Sequence, residues 1–251
     1  MLNERTELQI IEDREKFKKI AFESQGNTLV ANVLLPHNEN IYRDGIFFIH
    51  GGISGKGIAL GLQKYLREQN YPSFAYDSTG VGESEGVFEE QTLTNRVDDA
   101  QRAFEIFQKI VQPSCIVALS MGADTALYLL EQYAIESLIL LGPAAYHDAV
   151  REQPLTRGDF TRQLRMDKSW KTGISSFALL ERFLGSALII YGEKDLTIPR
   201  GIQRRFERAI EGKGEYLIIP EANHNLLKSN SQTERQVFIS ITEFLSRHKM
   251  R

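Results

Sequence analysis

Short apolar runs closed by glycine or polar residues alternate along the chain with longer stretches whose apolar residues recur every three or four positions. The first kind predicts strands buried on both faces and the second amphipathic helices. After about twenty mostly polar residues, Lys18 to Glu23 and Thr28 to Leu35 flank Gln25-Gly26-Asn27 and predict a hairpin, closed by Pro36. Gly45 to His50 and Tyr71 to Asp77 predict buried strands either side of a helix over Gly57 to Gln69, and Ser78 to Gly86 is a glycine-rich loop. Leu93, Val97, Ala100, Phe104, Phe107 and Val111 place one apolar face on a helix from Thr92 to Val111, which Pro113 ends. Ser114 to Leu119, Glu136 to Leu141, Ala187 to Tyr191 and Tyr216 to Ile219 predict further strands. Helices are expected from Met121 to about Tyr133, from Pro199 to Gly212 and from Thr233 to Leu245.

Repeated strand–helix–strand units require a parallel sheet covered by helices on both faces, with the opening hairpin as an antiparallel edge. Pro143 to about Gly185 breaks the alternation and is too long for an ordinary connection. It is expected to form a small helical insertion, a lid, within a single domain spanning 1–251.

Composition narrows the function classes. The chain has 251 residues, 42% of them hydrophobic and 25% charged, which fits a globular protein with a sizeable core. A formal net charge of −3 offers no field for a polyanion, so no nucleic-acid partner is expected. The single cysteine, Cys115, cannot form an internal disulfide. Neither an apolar signal region nor a membrane-length apolar run is visible, so the expectation is a soluble, cytoplasmic protein.

Ligands of an open parallel sheet bind beyond the carboxyl ends of its strands. The strand Cys115 to Leu119 runs directly into Ser120-Met121-Gly122 and a helix, a sharp turn that needs the small neighbours Ala118 and Gly122 and projects a hydroxyl above the sheet. Small-x-Ser-x-small by itself occurs at many buried helix starts. Two more strand ends carry Asp195 and His224, and each has a plain alternative, a turn cap for Asp195 and a loop histidine for His224. Together Ser, Asp and His follow the chain order of a known catalytic constellation. An imidazole can take the serine proton near neutral pH, and a carboxylate fixes its tautomer and stabilises the imidazolium.

With these motifs the sequence resembles the α/β-hydrolase fold family from about Lys18 to Leu245. Phe47-Phe-Ile-His50-Gly51-Gly52 is similar to the family's His-Gly-x segment, and Asp77-Ser-Thr-Gly80-Val-Gly82-Glu-Ser84 to its Asp-x-x-Gly-x-Gly-x-Ser loop. The resemblance implies a mostly parallel sheet of the eight-stranded type and a serine hydrolase with Ser120 as nucleophile, Asp195 as acid and His224 as base. It also implies an oxyanion hole formed by the N–H groups of Gly52 and Met121. Two positions depart from the pattern. Ala118 replaces the commoner first glycine of the elbow, and Thr79 stands where many members carry arginine.

The expected reaction is cleavage of an acyl bond, a carboxylic ester first, with no cofactor or metal. Thioesters, amides and carbon–carbon bonds use the same residues, and a non-catalytic small-molecule receptor is the alternative of another class. Within the insertion Phe160, Leu164, Trp170 and Phe177 are candidates to line an acyl pocket, because such pockets are mostly apolar. Gly51 to Gly57 looks phosphate-binding but would need glycine at position 50 and Ser or Thr at 57. His50 and Asp77 are expected to be structural, Cys115 inert core, and His37, His147 and His248 too scattered to bind a metal.

Overall fold

The computed structural model describes residues 8–14, 17–37, 44–155, 173–228 and 230–248. Among these, nine strands form one sheet in the order β1-β2-β3-β5-β4-β6-β7-β8-β9. The strands are β1 Gln9–Arg14, β2 Phe17–Ser24, β3 Asn27–Leu34, β4 Gly45–Ile49, β5 Ser73–Tyr76, β6 Pro113–Leu119, β7 Ser137–Leu141, β8 Ser186–Gly192 and β9 Gly214–Ile219. From β5 to β9 every pairing is parallel, while β1, β2 and β3 form an antiparallel edge on β5. The helices are α1 Leu60–Glu68, α2 Leu93–Gln108, α3 Met121–Leu129, α4 Ser175–Arg182, α5 Arg200–Ala209 and α6 Ser231–Arg247.

The strand period of two sends neighbouring side chains to opposite faces. Phe47, Ile49, Ile116, Ala118, Leu138 and Leu140 face a core closed by α2, α3, α4 and α5. Ile46, Phe48, Cys115, Val117, Ile139 and Leu141 face a second core closed by α1 and α6. Phe47 sits at the centre of the first, stacked on Phe74 and Tyr76 and edge-on to Phe104. Truncating such a fully buried ring to alanine costs about 3–5 kcal/mol.

Local chemistry sets the boundaries. Gln25 and Gly26 have φ of 48° and 79°, the two positive values a two-residue type I′ hairpin turn demands. Thr92 caps α2 in a reciprocal box with Asn95, and Asn230 caps α6 through the N–H of Thr233. The eight-stranded expectation gains β1, an edge strand whose adjacent Ile10 and Ile11 are both exposed beside a register shift.

The long stretch 143–185 is described only at its ends. Ala144, Ala145, Tyr146 and Leu155 lie in the larger core, as do Phe177, Leu179 and Leu180 of α4, which packs against α3 and α5. Phe160, Leu164 and Trp170 lie outside the described residues. No helix among the described residues is long and apolar enough to cross a membrane.

β4 lies between β5 and β6, so the winding direction reverses at its carboxyl end. Such a switch point opens a crevice between the loops that leave β4 and β6. Gly52 follows β4 and Ser120 follows β6.

Candidate active site

The turn from β6 into α3 forces Ser120 to φ 49° and ψ −115°, a left-handed conformation rare for a side chain other than glycine. Its N–H donates to Leu141 O at 2.9 Å, and its carbonyl accepts from Ala144 N–H at 3.0 Å, so β7 and its loop hold the turn from below. Gly122 is required by close approach, since a Cβ there would lie 2.5 Å from His50 O. Ala118 is fully buried and its methyl fits within the core, so the departure from glycine is accommodated.

Asp195 and His224 arrive on the loops after β8 and β9. A side chain at Gly192 would collide with the carbonyls of Ala222 and Asn223, which lets the two loops touch. Lys194 N–H donates to Ala222 O at 2.8 Å, Glu193 N–H to Ile219 O at 3.0 Å, and the exposed side chains of Lys194 and Glu221 pair across them. Asp195 is buried, with Oδ1 accepting from the N–H groups of Thr197 at 2.8 Å and Ile198 at 3.1 Å. Its Oδ2 lies 2.8 Å from His224 Nδ1, and His224 Nε2 lies 3.0 Å from Ser120 Oγ. Burial pushes the Asp195 carboxyl upward. The hydrogen bond and charge of His224 and the two backbone N–H groups outweigh this and hold it below the usual range.

An ionised carboxylate only accepts, so the bond to Asp195 places the imidazole proton on Nδ1 and turns the Nε2 lone pair to Ser120. The structure thus brings the three expected residues into one hydrogen-bonded chain. Met121 opens α3, and the Gly52 N–H, like that of Met121, has no acceptor among the described residues. A Cβ built on Gly52 would stand 3.9 Å from Met121 Cε, so the end of the Met121 side chain lies close to Gly52.

The structural roles expected of His50 and Asp77 also hold. His50 is buried, its Nδ1–H donating to Gly51 O at 2.6 Å and its Nε2 accepting from Ser78 N–H at 3.1 Å. Burial first, then the Arg96 charge, holds its pKa well below 6.5, so the ring is neutral. Asp77 accepts from Lys56 N–H and Nζ, both at 2.5 Å, and from Glu83 N–H at 2.9 Å. That buried pair occupies the lysine of the phosphate-loop lookalike. Glu83 is drawn down to about 2 by its bonds to Lys19 and Lys56.

Phe177, expected to line an acyl pocket, belongs to α4. It is fully buried against Phe206 at a ring distance of 4.9 Å, with the Arg205 guanidinium 4.1 Å over its face. It packs α4 on α5.

Two site residues escape the sequence reading. Gly142, at the end of β7, has φ 55°, and a Cβ there would stand 3.1 Å from His224 Nδ1. Arg96 is buried behind the turn after β4. Each left a trace: a glycine closing an apolar strand, and a charge three residues after Leu93 on the apolar face of α2.

Comparison with known proteins follows the same lines. The family described as serine aminopeptidase, S33, matches residues 42–164, which include Gly52, Ser120 and Met121 but end before Asp195 and His224. No curated protein matches the chain in sequence. Est1E from Butyrivibrio proteoclasticus, solved with ferulic acid bound, is similar in structure at a TM-score of 0.72 and 18% identity, covering 91% of this chain and 98% of its own. The monoacylglycerol lipase of Paleococcus ferrophilus has a TM-score of 0.67 at 16% identity, covering 88% and 99%. An alpha-beta serine hydrolase homologue from Coxiella burnetii has a TM-score of 0.63 at 18% identity, covering 91% and 95%.

Proposed function

The chain adopts the α/β-hydrolase fold, and on that premise we propose that it is a serine hydrolase acting on acyl bonds. The observation that carries this reading is the chain Ser120 Oγ–His224–Asp195, at 3.0 and 2.8 Å, mounted on a left-handed turn at the switch point. As His224 Nε2 takes its proton, Ser120 Oγ attacks the carbonyl carbon. Asp195 stabilises the imidazolium, and the N–H groups of Gly52 and Met121 hold the negative oxygen. Collapse of the tetrahedral intermediate passes the proton from His224 to the leaving group and leaves the acyl group on Ser120. Water, deprotonated by the same imidazole, then releases the acid and restores the hydroxyl.

A carboxylic ester is the preferred substrate in this reading. Of the similar structures, Est1E was solved with ferulic acid bound and another is by name a monoacylglycerol lipase. Against a purely binding role stands the conformation of Ser120. A non-glycine residue held there costs on the order of 1–3 kcal/mol, which a receptor has no need to bear.

The test is Ser120→Ala assayed on p-nitrophenyl esters of graded chain length, beside labelling of the wild-type protein by a fluorophosphonate. Alanine should fit the elbow and lower kcat by roughly 10⁴–10⁶. Wild-type protein that neither labels at Ser120 nor turns over any ester or aminoacyl anilide would end the proposal.

A further inference from the structure

Arg96 is a buried cation that forms no ion pair among the described residues; it is 2% exposed. The nearby carboxylates are taken: Asp99 accepts from Ser24, Gln25 and Thr79, and Asp124 from Arg151. The guanidinium turns instead to the backbone. Nη2 donates to His50 O at 3.1 Å and Gly51 O at 2.9 Å. Nη1 donates to Ser78 Oγ at 2.8 Å and, at 3.4 Å, to Gly52 O. One planar fork therefore touches three consecutive carbonyls. Burying a charge without a direct ion pair is costly, and an apolar side chain would fill the same space without that cost.

The geometry of the peptide group says what the fork achieves. In a planar trans peptide the C=O and N–H point in opposite directions. The Gly51 oxygen and the Gly52 N–H belong to one such unit, and the described residues contain no cis peptide bond. Fixing the Gly51 oxygen on the Arg96 side fixes the Gly52 N–H on the opposite side. The restraint matters because the unit joins two glycines, whose backbones turn over more freely than any other pair. A flipped unit would present a carbonyl oxygen to the developing oxyanion and repel it.

Resting on the serine hydrolase reading, we propose that Arg96 is a positioning residue that locks the 51–52 peptide with its N–H toward Ser120, so that the oxyanion hole is formed before substrate binds. Polarisation of the Gly51 carbonyl by a full positive charge also strengthens the N–H of the same unit as a donor. His50 Nδ1–H reaches the same oxygen, but its single bond leaves the units on either side unheld. Lysine keeps the charge yet offers a point donor where the site uses a fork.

Arg96→Met and Arg96→Lys, each crystallised and assayed on p-nitrophenyl acetate beside wild type, test this. In Arg96→Met we expect kcat to fall about 10²-fold, the lower range for loss of one oxyanion donor. KM should stay within about threefold, because ground-state binding does not use the hole. The 51–52 peptide should be flipped or mixed in orientation. Arg96→Lys should fall between Arg96→Met and wild type in both readouts. An unmoved peptide in both variants, or an unchanged kcat in folded Arg96→Met, overturns the proposal. A wild-type protein without turnover or labelling would defeat the hydrolase reading alone, since the orientation of the peptide still decides what Arg96 holds. If Arg96→Met fails to fold, Arg96→Lys retains the buried charge and carries both readouts.

Discussion

On the β4–β6 side of the site the backbone is held by buried groups. The neutral His50 ring and the Arg96 guanidinium grip the turn after β4, and Gly122 brings α3 within contact of the same turn. On the β8–β9 side the loops are joined by backbone hydrogen bonds and an exposed pair, Lys194 with Glu221, and His224 keeps 18% of its side chain open. The contrast fits the roles proposed for the two sides. Donors to a developing charge act best when nothing must reorganise as the charge appears. In the proposed reaction the base takes a proton from one oxygen and returns it to another, and His224 is tethered at Nδ1 by one carboxylate while its Nε2 meets only the hydroxyl of Ser120.

The base side breaks hardest when its chemistry is changed and its shape kept. Asp195→Asn should retain the bonds from Thr197 and Ile198 but favour the wrong imidazole tautomer, lowering kcat/KM by roughly 10⁴. An Asn variant within tenfold of wild type would take Asp195 out of the proposed role. On the turn side Gly122→Ala should cost both stability and rate, because the new methyl meets His50 O at 2.5 Å. Forced overpacking of this kind costs about 1–3 kcal/mol, and urea unfolding with parallel kinetics would measure it.

Acid offers a gentler way to separate the two sides. The folded pKa of His50 lies well below 6.5, so between the folded and unfolded values the unfolded chain binds the extra proton. Its contribution is therefore intact above pH ~6.5 and declines as pH falls, by at most about 1.4 kcal/mol per pH unit. His50→Asn keeps a donor for Gly51 O and cannot titrate. Its stability should change less between pH 7.5 and 5 than that of wild type, and equal slopes would contradict the assignment. The smallest effect belongs to the exposed pair. Lys194→Ala should leave the melting temperature and kcat unchanged within error, as is usual for surface ion pairs. A clear loss of activity there would mean the base side is held more tightly than its exposure suggests.

The parallel strands were legible because burial on both faces leaves near-continuous apolar runs, as in Ile46-Phe-Phe-Ile49. Edge strand β1 was not: Gln9-Ile-Ile-Glu-Asp-Arg14 pairs on one side only and shows neither a run nor an alternation. Ser120, Asp195 and His224 could be read because each follows such a strand directly. Gly142 and Arg96 act through direction of approach, behind His224 and behind the turn after β4. One-dimensional spacing carries no such information. Thr79 was noted for its departure from the family pattern, and the structure shows its N–H bound to Asp99 Oδ2 at 2.8 Å.

The left-handed backbone at Ser120 sets heat resistance and reactivity against each other at one position. Glycine at 120 would relieve strain of order 1–3 kcal/mol against an unfolded-chain entropy penalty of about 0.5–1 kcal/mol, and it would delete the hydroxyl. A randomised library sorted only for survival at high temperature should therefore drift toward Ser120→Gly and lose turnover as it gains melting point. A sort for turnover at the same temperature should keep serine and find its stability elsewhere, in the packing of α4 on α5 or along the β1 edge.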